Sequence, residues 1–175
     1  ALILCSKGYG KLGIFLTPAA PSDINAISIS VIRIFIINIF RWKFWCKPMP
    51  PNFSSAFYGV LHDFKKDDAL RIFKNYYSPE SGRAICEIGF PFFYSNSPTK
   101  VDEKDILCPT LIIGSGRDRI TPIQISKKLK KKLGKKTELI IFEKFSHYIM
   151  EGNEFKEVFA KITDWISKKI GDSAV

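Results

Sequence analysis

Short, almost wholly apolar runs recur along the chain, and a helical pattern follows most of them. The first run covers residues 11–17 and is stopped by Pro18, and the other two cover residues 110–114 and 137–142. Uninterrupted apolar runs of this length are typical of strands that are buried on both faces, as in a parallel sheet. The three runs therefore predict three parallel strands.

Helical patterns lie before and between these strands. Residues 1–7 read as the last turns of a helix that ends at Gly8, because glycine commonly follows the last helical turn. Thr121 is the predicted N-cap of a second helix, with Pro122 in the first helical position and Gly134 near the end. The order of strands and helices indicates the α/β class.

Residues 154–170 predict a closing helix, because their apolar positions recur at helical spacing. Its predicted buried stripe consists of Phe155, Val158, Phe159, Ile162, Trp165 and Ile166.

The first and second strands are separated by a connection of about eighty residues, which is too long for an ordinary crossover loop. We therefore predict a core made of residues 1–21 and 105–175, with a helical cap or lid inserted at residues 22–104. Within this insertion, helical patterning is clearest around residues 69–77.

The hydrophobic peak of the insertion runs from Ala26 to Phe40 and is expected to be helical from about Asn25. Arg33 and Asn38 interrupt it, and a membrane-spanning helix needs about twenty largely uncharged residues. A helix that lines a pocket is therefore the favoured interpretation, and a surface that touches lipid or a membrane span are the alternatives. Aromatic and basic residues typical of a membrane interface follow the run: Arg41, Trp42, Lys43, Trp45 and Lys47.

Composition favours a packed protein, since 46% of the 175 residues are hydrophobic and 14% are aromatic. The cysteines are scattered without a C-x-x-C pair, which argues against a zinc site or a disulfide framework and fits a reducing cytoplasm. They are Cys5, Cys46, Cys86 and Cys108.

The formal net charge of +10 invites a nucleic-acid interpretation. The densest basic run, residues 127–136, nevertheless lies in a predicted helix whose apolar positions recur every four residues, at Ile125, Leu129 and Leu133. Its lysines are therefore expected to cover the solvated face of a helix, and no nucleic-acid partner is expected.

Candidate chemistry stands at the ends of the second and third predicted strands. Asp118 follows the strand at residues 110–114, and His147 follows the strand at residues 137–142. The carboxyl ends of neighbouring parallel strands bring such groups together. In a hydrolytic triad, a buried carboxylate fixes the tautomer of an imidazole, and the imidazole acts as the base. Asp118 could instead be a simple turn former, and His147 could have a structural role. For His62, which lies beside Asp63, the structural role is favoured.

At these residues the sequence resembles the α/β-hydrolase superfamily. Residues 108–122 resemble the strand and loop that carry its triad acid, with a G-x-D-x-x-x-P arrangement around Asp118, and residues 142–166 resemble its last strand, histidine loop and terminal helix. Residues 78–90 resemble the end of its cap. The resemblance implies a C-terminal part of this fold that supplies Asp118 and His147 to hydrolysis of an ester, thioester or amide, with no cofactor and no metal. Haloalkane cleavage and C–C hydrolysis are known on the same scaffold.

The resemblance lacks one component. No G-x-S-x-G nucleophile motif is present, and neither Cys5 nor Ser6 has the glycines that such a motif requires. The nucleophile and the N-terminal half of the fold are therefore expected upstream of Ala1. The first strand should then have a free edge, with apolar surface exposed around Leu2, Ile3, Ile14 and Leu16.

A small apolar acyl substrate is the expected partner, because the apolar cap would line its pocket. The candidate pocket residues in the cap are Ile27, Val31 and Phe35. The main alternative is a decayed hydrolase homologue, that is, a non-catalytic module that contacts a lipid surface or another protein. A nucleic-acid binder is a further alternative that rests on charge alone.

Overall fold

The computed structural model describes residues 1–171, apart from the side chain of Asn153. In chain order its main elements are α1 (Leu2–Ser6), β1 (Gly13–Leu16), α2 (Ile29–Ile39), β2 (Pro48–Met49), α3 (Phe53–Gly59), α4 (Lys66–Tyr76), β3 (Glu80–Ser81), α5 (Gly82–Gly89), β4 (Thr110–Ser115), α6 (Ile123–Leu133), β5 (Thr137–Phe142) and α7 (Gly152–Gly171).

A three-stranded parallel sheet, in the order β1-β4-β5, confirms the α/β class and all three predicted strands. The central strand β4 aligns Gly13 of β1 with Thr110 and Thr110 with Thr137 of β5. All six residues of β4 are buried, which explains its apolar sequence. The hydroxyls of Thr110 and Thr137 hydrogen-bond to each other at 2.6 Å, so the polar atoms at the start of this pair of strands are satisfied.

Helices cover both faces of the sheet. Alternate β4 side chains point to opposite faces: Ile112 packs with residues of α1 and α6, and Leu111 and Ile113 pack with residues of α7. Val158 and Trp165 bury α7 against the sheet, and Trp165 donates a 2.9 Å hydrogen bond to Glu138 of β5. The parallel sheet is thus a middle layer that holds the strand ends rigidly in place.

The start of α6 differs from the sequence prediction. Pro122 occupies the N-cap and the helix begins at Ile123. Thr121 does not cap it, because its hydroxyl bonds to Asp118 and to the carbonyl of Thr17. The predicted end near Gly134 is confirmed, and Gly134 has a φ of 76° there.

The predicted buried stripe of α7 is only partly correct. Val158 and Trp165 are buried, and Ile162 and Ile166 pack partly against the same cluster. Phe155 and Phe159 instead contact each other and remain exposed.

The segment between β1 and β4 is mainly helical. Helix α2 is shorter than predicted: an Asn25 side chain accepts a hydrogen bond from the amide of Ile27, and Ser28 then caps the helix at Val31. Both contacts keep residues 25–28 outside the helix. The antiparallel β2–β3 ladder was not predicted, because two-residue strands have no recognisable period. The division into a core and a cap at residues 22–104 stays an interpretation, and residues 172–175 of that core lie outside the described residues.

One edge of β1 has no strand partner among residues 1–171, as expected from the sequence. Ile3 and Leu4 of α1 are exposed nearby, whereas Leu2, Ile14 and Leu16 are only partly exposed. Apolar side chains are thus at least partly exposed around this edge, and of the four residues named from the sequence Ile3 is the most exposed. None of the helices in the described part of the chain has the length and apolarity needed to cross a membrane.

Candidate functional site

The loops that follow β4 and β5 bring Asp118 and His147 together at the carboxyl edge of the sheet. Nδ1 of His147 lies 2.8 Å from Oδ2 of Asp118, which is hydrogen-bond distance and agrees with the expectation that the ends of these two strands bring the groups together. The side chain of Asp118 is completely buried, and that of His147 is 27% exposed. This arrangement orients the imidazole by a buried acid and leaves its other side accessible.

Four hydrogen bonds satisfy the buried carboxylate of Asp118. Oδ1 accepts from the backbone amides of Ile120 and Thr121, at 2.9 and 2.8 Å. Oδ2 accepts from the Thr121 hydroxyl at 2.7 Å and faces Nδ1 of His147. A carboxylate oxygen acts as the acceptor in such contacts, and hydrogen bonds to a carboxylate are shorter and stronger than those between neutral groups. Nδ1 of His147 therefore carries a proton and donates it to Oδ2, which leaves Nε2 as the basic atom.

Thr121 is a site residue that the sequence interpretation assigned to helix capping. Its oxygen lies 2.7 Å from Asp118 Oδ2, 3.1 Å from the Thr17 carbonyl and 3.3 Å from His147 Nδ1. Thr17, at the end of β1, has a φ of 39°, which is unusual for a residue other than glycine. The three strand ends therefore meet at one hydroxyl. The local signal in the sequence is that an aspartate often accepts from the backbone amides that follow it, which indicates the turn at Asp118 but not the role of the Thr121 hydroxyl.

The two loops are held against each other by their backbones. The amide of Gly116 donates to Phe142, and the amide of Arg117 donates to Phe145. A Cβ at Gly116 would lie 2.5 Å from the carbonyl oxygen of Glu143, so only glycine permits this close approach. The separation of Asp118 and His147 is thus fixed by main-chain contacts.

The histidine loop is also anchored on both sides of His147. The buried Ser146 hydroxyl donates to the Val60 carbonyl at 3.3 Å, and Tyr148 packs edge-on against Phe64 at 5.8 Å. Val60 and Phe64 belong to the segment between β1 and β4. This segment therefore helps to position the imidazole.

Nε2 of His147 has no hydrogen-bond partner among residues 1–171, and the only hydroxyl that contacts the ring there, that of Thr121, lies at Nδ1. His147 contributes instead to the walls of two cavities. A neutral imidazole in this position can take a proton from a group placed in either cavity.

The larger cavity has a volume of about 620 Å³, and its lining is almost wholly aliphatic and aromatic. Ile27, Val31 and Phe35, the three pocket candidates from the sequence, all line it. Their role in substrate binding stays a prediction. Ile85, Ile88 and Phe90, which the sequence analysis did not single out, line the cavity too.

The second cavity, of about 450 Å³, is more polar. Phe35, Ile120 and His147 line both cavities, so the two meet at the imidazole. Asn38 and Tyr77 add polar groups to the second one. Burial raises the pKa of Tyr77 to about 12, and its phenol is therefore a neutral hydrogen-bond donor at physiological pH.

An aromatic ring connects the catalytic edge to α2. The guanidinium groups of Arg33 and Arg119 lie 4.0 and 4.6 Å from the centre of the Tyr58 ring, at cation–π distance. Arg119 also donates a 3.0 Å hydrogen bond to the Tyr58 carbonyl. Since Arg119 follows Asp118, the position of α2 is coupled to the acid loop.

His62 does not join the Asp118–His147 pair. Its side chain is 7% exposed, and within residues 1–171 neither ring nitrogen has a hydrogen-bond partner. The nearest carboxylate, that of Asp63, lies 3.8 Å away and is bound by Arg117 at 2.7 Å. Burial lowers the pKa of His62, and the Arg119 guanidinium lowers it further. The structural role favoured from the sequence agrees with these surroundings.

This environment predicts an acid-sensitive contribution to stability. The unfolded chain binds a proton at His62 as the pH falls below about 6.5, whereas the folded protein rejects it until a lower pH. The free energy of unfolding should therefore decrease through this range. His62→Leu should make the decrease shallower, which melting temperatures measured from about pH 7 to pH 5 can test. An unchanged slope would contradict the assignment.

Several solved structures resemble this chain. A meta-cleavage product hydrolase from Pseudomonas fluorescens has a TM-score of 0.61 at 13% sequence identity, with 97% of this chain and 60% of that one covered. A monoacylglycerol lipase from Paleococcus ferrophilus has a TM-score of 0.55 at 16% identity, with coverages of 94% and 62%.

A serine hydrolase from the polyaromatic hydrocarbon-degrading bacterium Cycloclasticus zankles has a TM-score of 0.55 at 14% identity, with coverages of 97% and 60%. No protein-family model matches the sequence, and no curated protein matches it. The likeness therefore concerns the fold, and the chain spans about three fifths of the length of these structures.

Proposed function

We propose that this chain, which has part of the α/β-hydrolase fold, supplies the acid and the base of a hydrolase that cleaves an ester, thioester or amide of an apolar acyl group. The observation that carries the proposal is the 2.8 Å contact of Asp118 with His147 beside a cavity of about 620 Å³ with an apolar lining.

The chemistry follows from the protonation of the imidazole. Asp118 holds the proton on Nδ1 of His147, so that Nε2 removes the proton of a nucleophilic hydroxyl as that oxygen attacks the acyl carbon. Nε2 then returns the proton to the leaving group. Water then attacks the acyl carbon with Nε2 of His147 again as base. The bond from the acyl carbon to the nucleophile breaks, Nε2 returns the proton to the nucleophile oxygen, and the carboxylic acid leaves.

The nucleophile belongs, in this proposal, to a segment of the protein outside these 175 residues. Support comes from the geometry: among residues 1–171, no hydroxyl or thiol contacts Nε2 of His147. The free edge of β1 is a suitable place for the strand that precedes such a nucleophile, since parallel sheets are normally continuous across their centre.

The two cavities suggest where the two parts of a substrate bind. The apolar cavity, with Val31 and Phe35 in its wall, suits the acyl chain. The second cavity offers Asn38 and the phenol of Tyr77 to a more polar leaving group. One of the similar structures is named a monoacylglycerol lipase, which supports acyl esters as the first substrates to try.

Chromogenic esters of increasing acyl length test this proposal on protein made from the complete coding sequence. Val31→Trp should fill part of the apolar cavity and lower kcat/KM for long acyl chains by about tenfold or more, with short chains little affected. Ile37→Trp is the matched control, because Ile37 is 62% exposed on the same helix and lines neither cavity. Equal loss with short and long chains would contradict the assignment of this cavity, and no hydrolysis of any ester, thioester or amide would contradict the proposed function.

A further inference from the structure

The outer surface of the segment between β1 and β4 carries a concentration of exposed apolar side chains. Ile29 is 88% exposed, Ile37 62%, Phe40 83% and Trp42 77%. Four large apolar groups on one helix and the turn that follows it are unusual on a surface that meets only water. Together these four side chains form a patch that we call the α2 face.

The stretch of chain that carries the α2 face contains only positive charge. From residue 24 to residue 62 the chain has no aspartate or glutamate, and it has four basic residues. These are Arg33, Arg41, Lys43 and Lys47, all of them exposed. Exposed apolar and aromatic groups in a stretch of chain with cations and no acids match an anionic lipid surface, where the apolar groups enter the acyl boundary and the cations meet the head groups.

The turn after α2 is held in place by packing. Phe44 is 6% exposed and contacts Trp45 edge-on at 5.5 Å and Phe90 at 6.5 Å. A Cβ at Gly82 of α5 would lie 1.9 Å from the Phe44 carbonyl oxygen, so the turn sits directly on α5. Phe40, Trp42 and Trp45 are therefore presented by a fixed scaffold, which lowers the entropy lost on binding.

We propose that the α2 face docks this protein onto anionic lipid bilayers, with α2 lying in the plane of the interface. Ile27 and Ile32, which are 44% and 43% exposed, also line the apolar cavity. Docking therefore places the mouth of that cavity at the lipid, so that an acyl compound can enter without crossing water. This last step rests on the proposed function, whereas the docking does not.

Flotation with lipid vesicles tests the docking on protein made from the complete coding sequence. The protein should float with vesicles of phosphatidylcholine and phosphatidylserine, bind pure phosphatidylcholine more weakly, and lose affinity as salt is added. Lipids brominated in the acyl chain should quench tryptophan fluorescence, and Trp42→Phe should reduce the quenching. Trp165 is buried against the sheet and contributes no such signal.

Two double variants separate the apolar contribution from the charge contribution. Phe40→Ser with Trp42→Ser, and Lys43→Glu with Lys47→Glu, should each weaken vesicle binding by roughly tenfold or more. The matched controls are Tyr9→Ser, at an aromatic residue 66% exposed elsewhere, and Lys127→Glu with Lys128→Glu on α6. The controls should bind as the wild type does, within about twofold.

Three results would overturn the proposal. The first is a loss of vesicle binding in the α6 control, Lys127→Glu with Lys128→Glu, that is as large as the loss in Lys43→Glu with Lys47→Glu. The second is an interaction with short duplex DNA that depends on the lysines but not on Phe40 and Trp42. The third is self-association that Phe40→Ser with Trp42→Ser abolishes in protein that never floats with vesicles. His147→Gln should float normally, so a failure of the hydrolase proposal is distinguishable from a failure of docking.

Discussion

His147→Gln, in protein made from the complete coding sequence, should lower kcat for ester hydrolysis by about 10³-fold or more, with little change in KM. Glutamine keeps a polar group near Asp118 but has no atom that takes up a proton at neutral pH. The side chain is 27% exposed, and the loop is anchored by Ser146 and Tyr148. The melting temperature should therefore change little.

The matched control uses the other histidine of the chain. His62→Leu should retain the turnover of the wild type within about threefold, because the change at this buried position affects stability and not the proton transfer. Comparable loss of kcat in both variants, with both folded by circular dichroism, would remove His147 from the role of base.

Asp118→Asn should lower kcat by about 10⁴-fold. The amide oxygen can still accept from the backbone amides of Ile120 and Thr121, which bind Oδ1. The amide nitrogen then replaces Oδ2 and offers a hydrogen to Nδ1 of His147. The ring must accept there, its proton moves to Nε2, and the base is lost while the loop geometry is kept.

Steady-state kinetics and melting temperature together measure this effect. Asp105→Asn is the control, because Asp105 is an exposed acid that precedes β4 and lies outside the site. Full activity of Asp118→Asn would show that the carboxylate serves only as a turn former, the alternative left open by the sequence. Loss of folding would be seen directly as an absent thermal transition, and Asp118→Glu, which keeps the charge, should then recover the fold.

The sheet could be predicted from the sequence because burial on both faces leaves a strong signal. The residues of β4 are all buried, so every position is under the same constraint and the run is continuous in the chain. The same reasoning predicted that Asp118 and His147 lie close together. The two residues follow neighbouring strands, and parallel strands end at the same edge of the sheet.

The detailed surroundings of the site could not be predicted, because they depend on contacts between distant parts of the chain. Thr121 has the local signature of a helix cap, and only the arrival of the Thr17 carbonyl and of the His147 ring, both distant in the chain, places its hydroxyl in the site instead. The exposure of Phe155 and Phe159 could not be predicted either. The helical period identifies an apolar stripe but does not tell which part of the protein covers it.

For the segment at residues 22–104 too, some features are visible in the sequence and others are set by tertiary packing. Its helical, apolar character is local and is visible in the sequence, as is the absence of acids between Asp23 and Asp63. Which apolar residues of α2 line a cavity and which meet the solvent is set by its packing on α3, α5 and the catalytic loops. The sequence by itself determined the α/β class, the three strands and the order of acid and base. Only the tertiary structure decided the contacts of Asp118 and Thr121 with His147 and Thr17, the shape of the two cavities and the face that α2 presents, because each of these arises from groups that the chain brings together over long sequence separations.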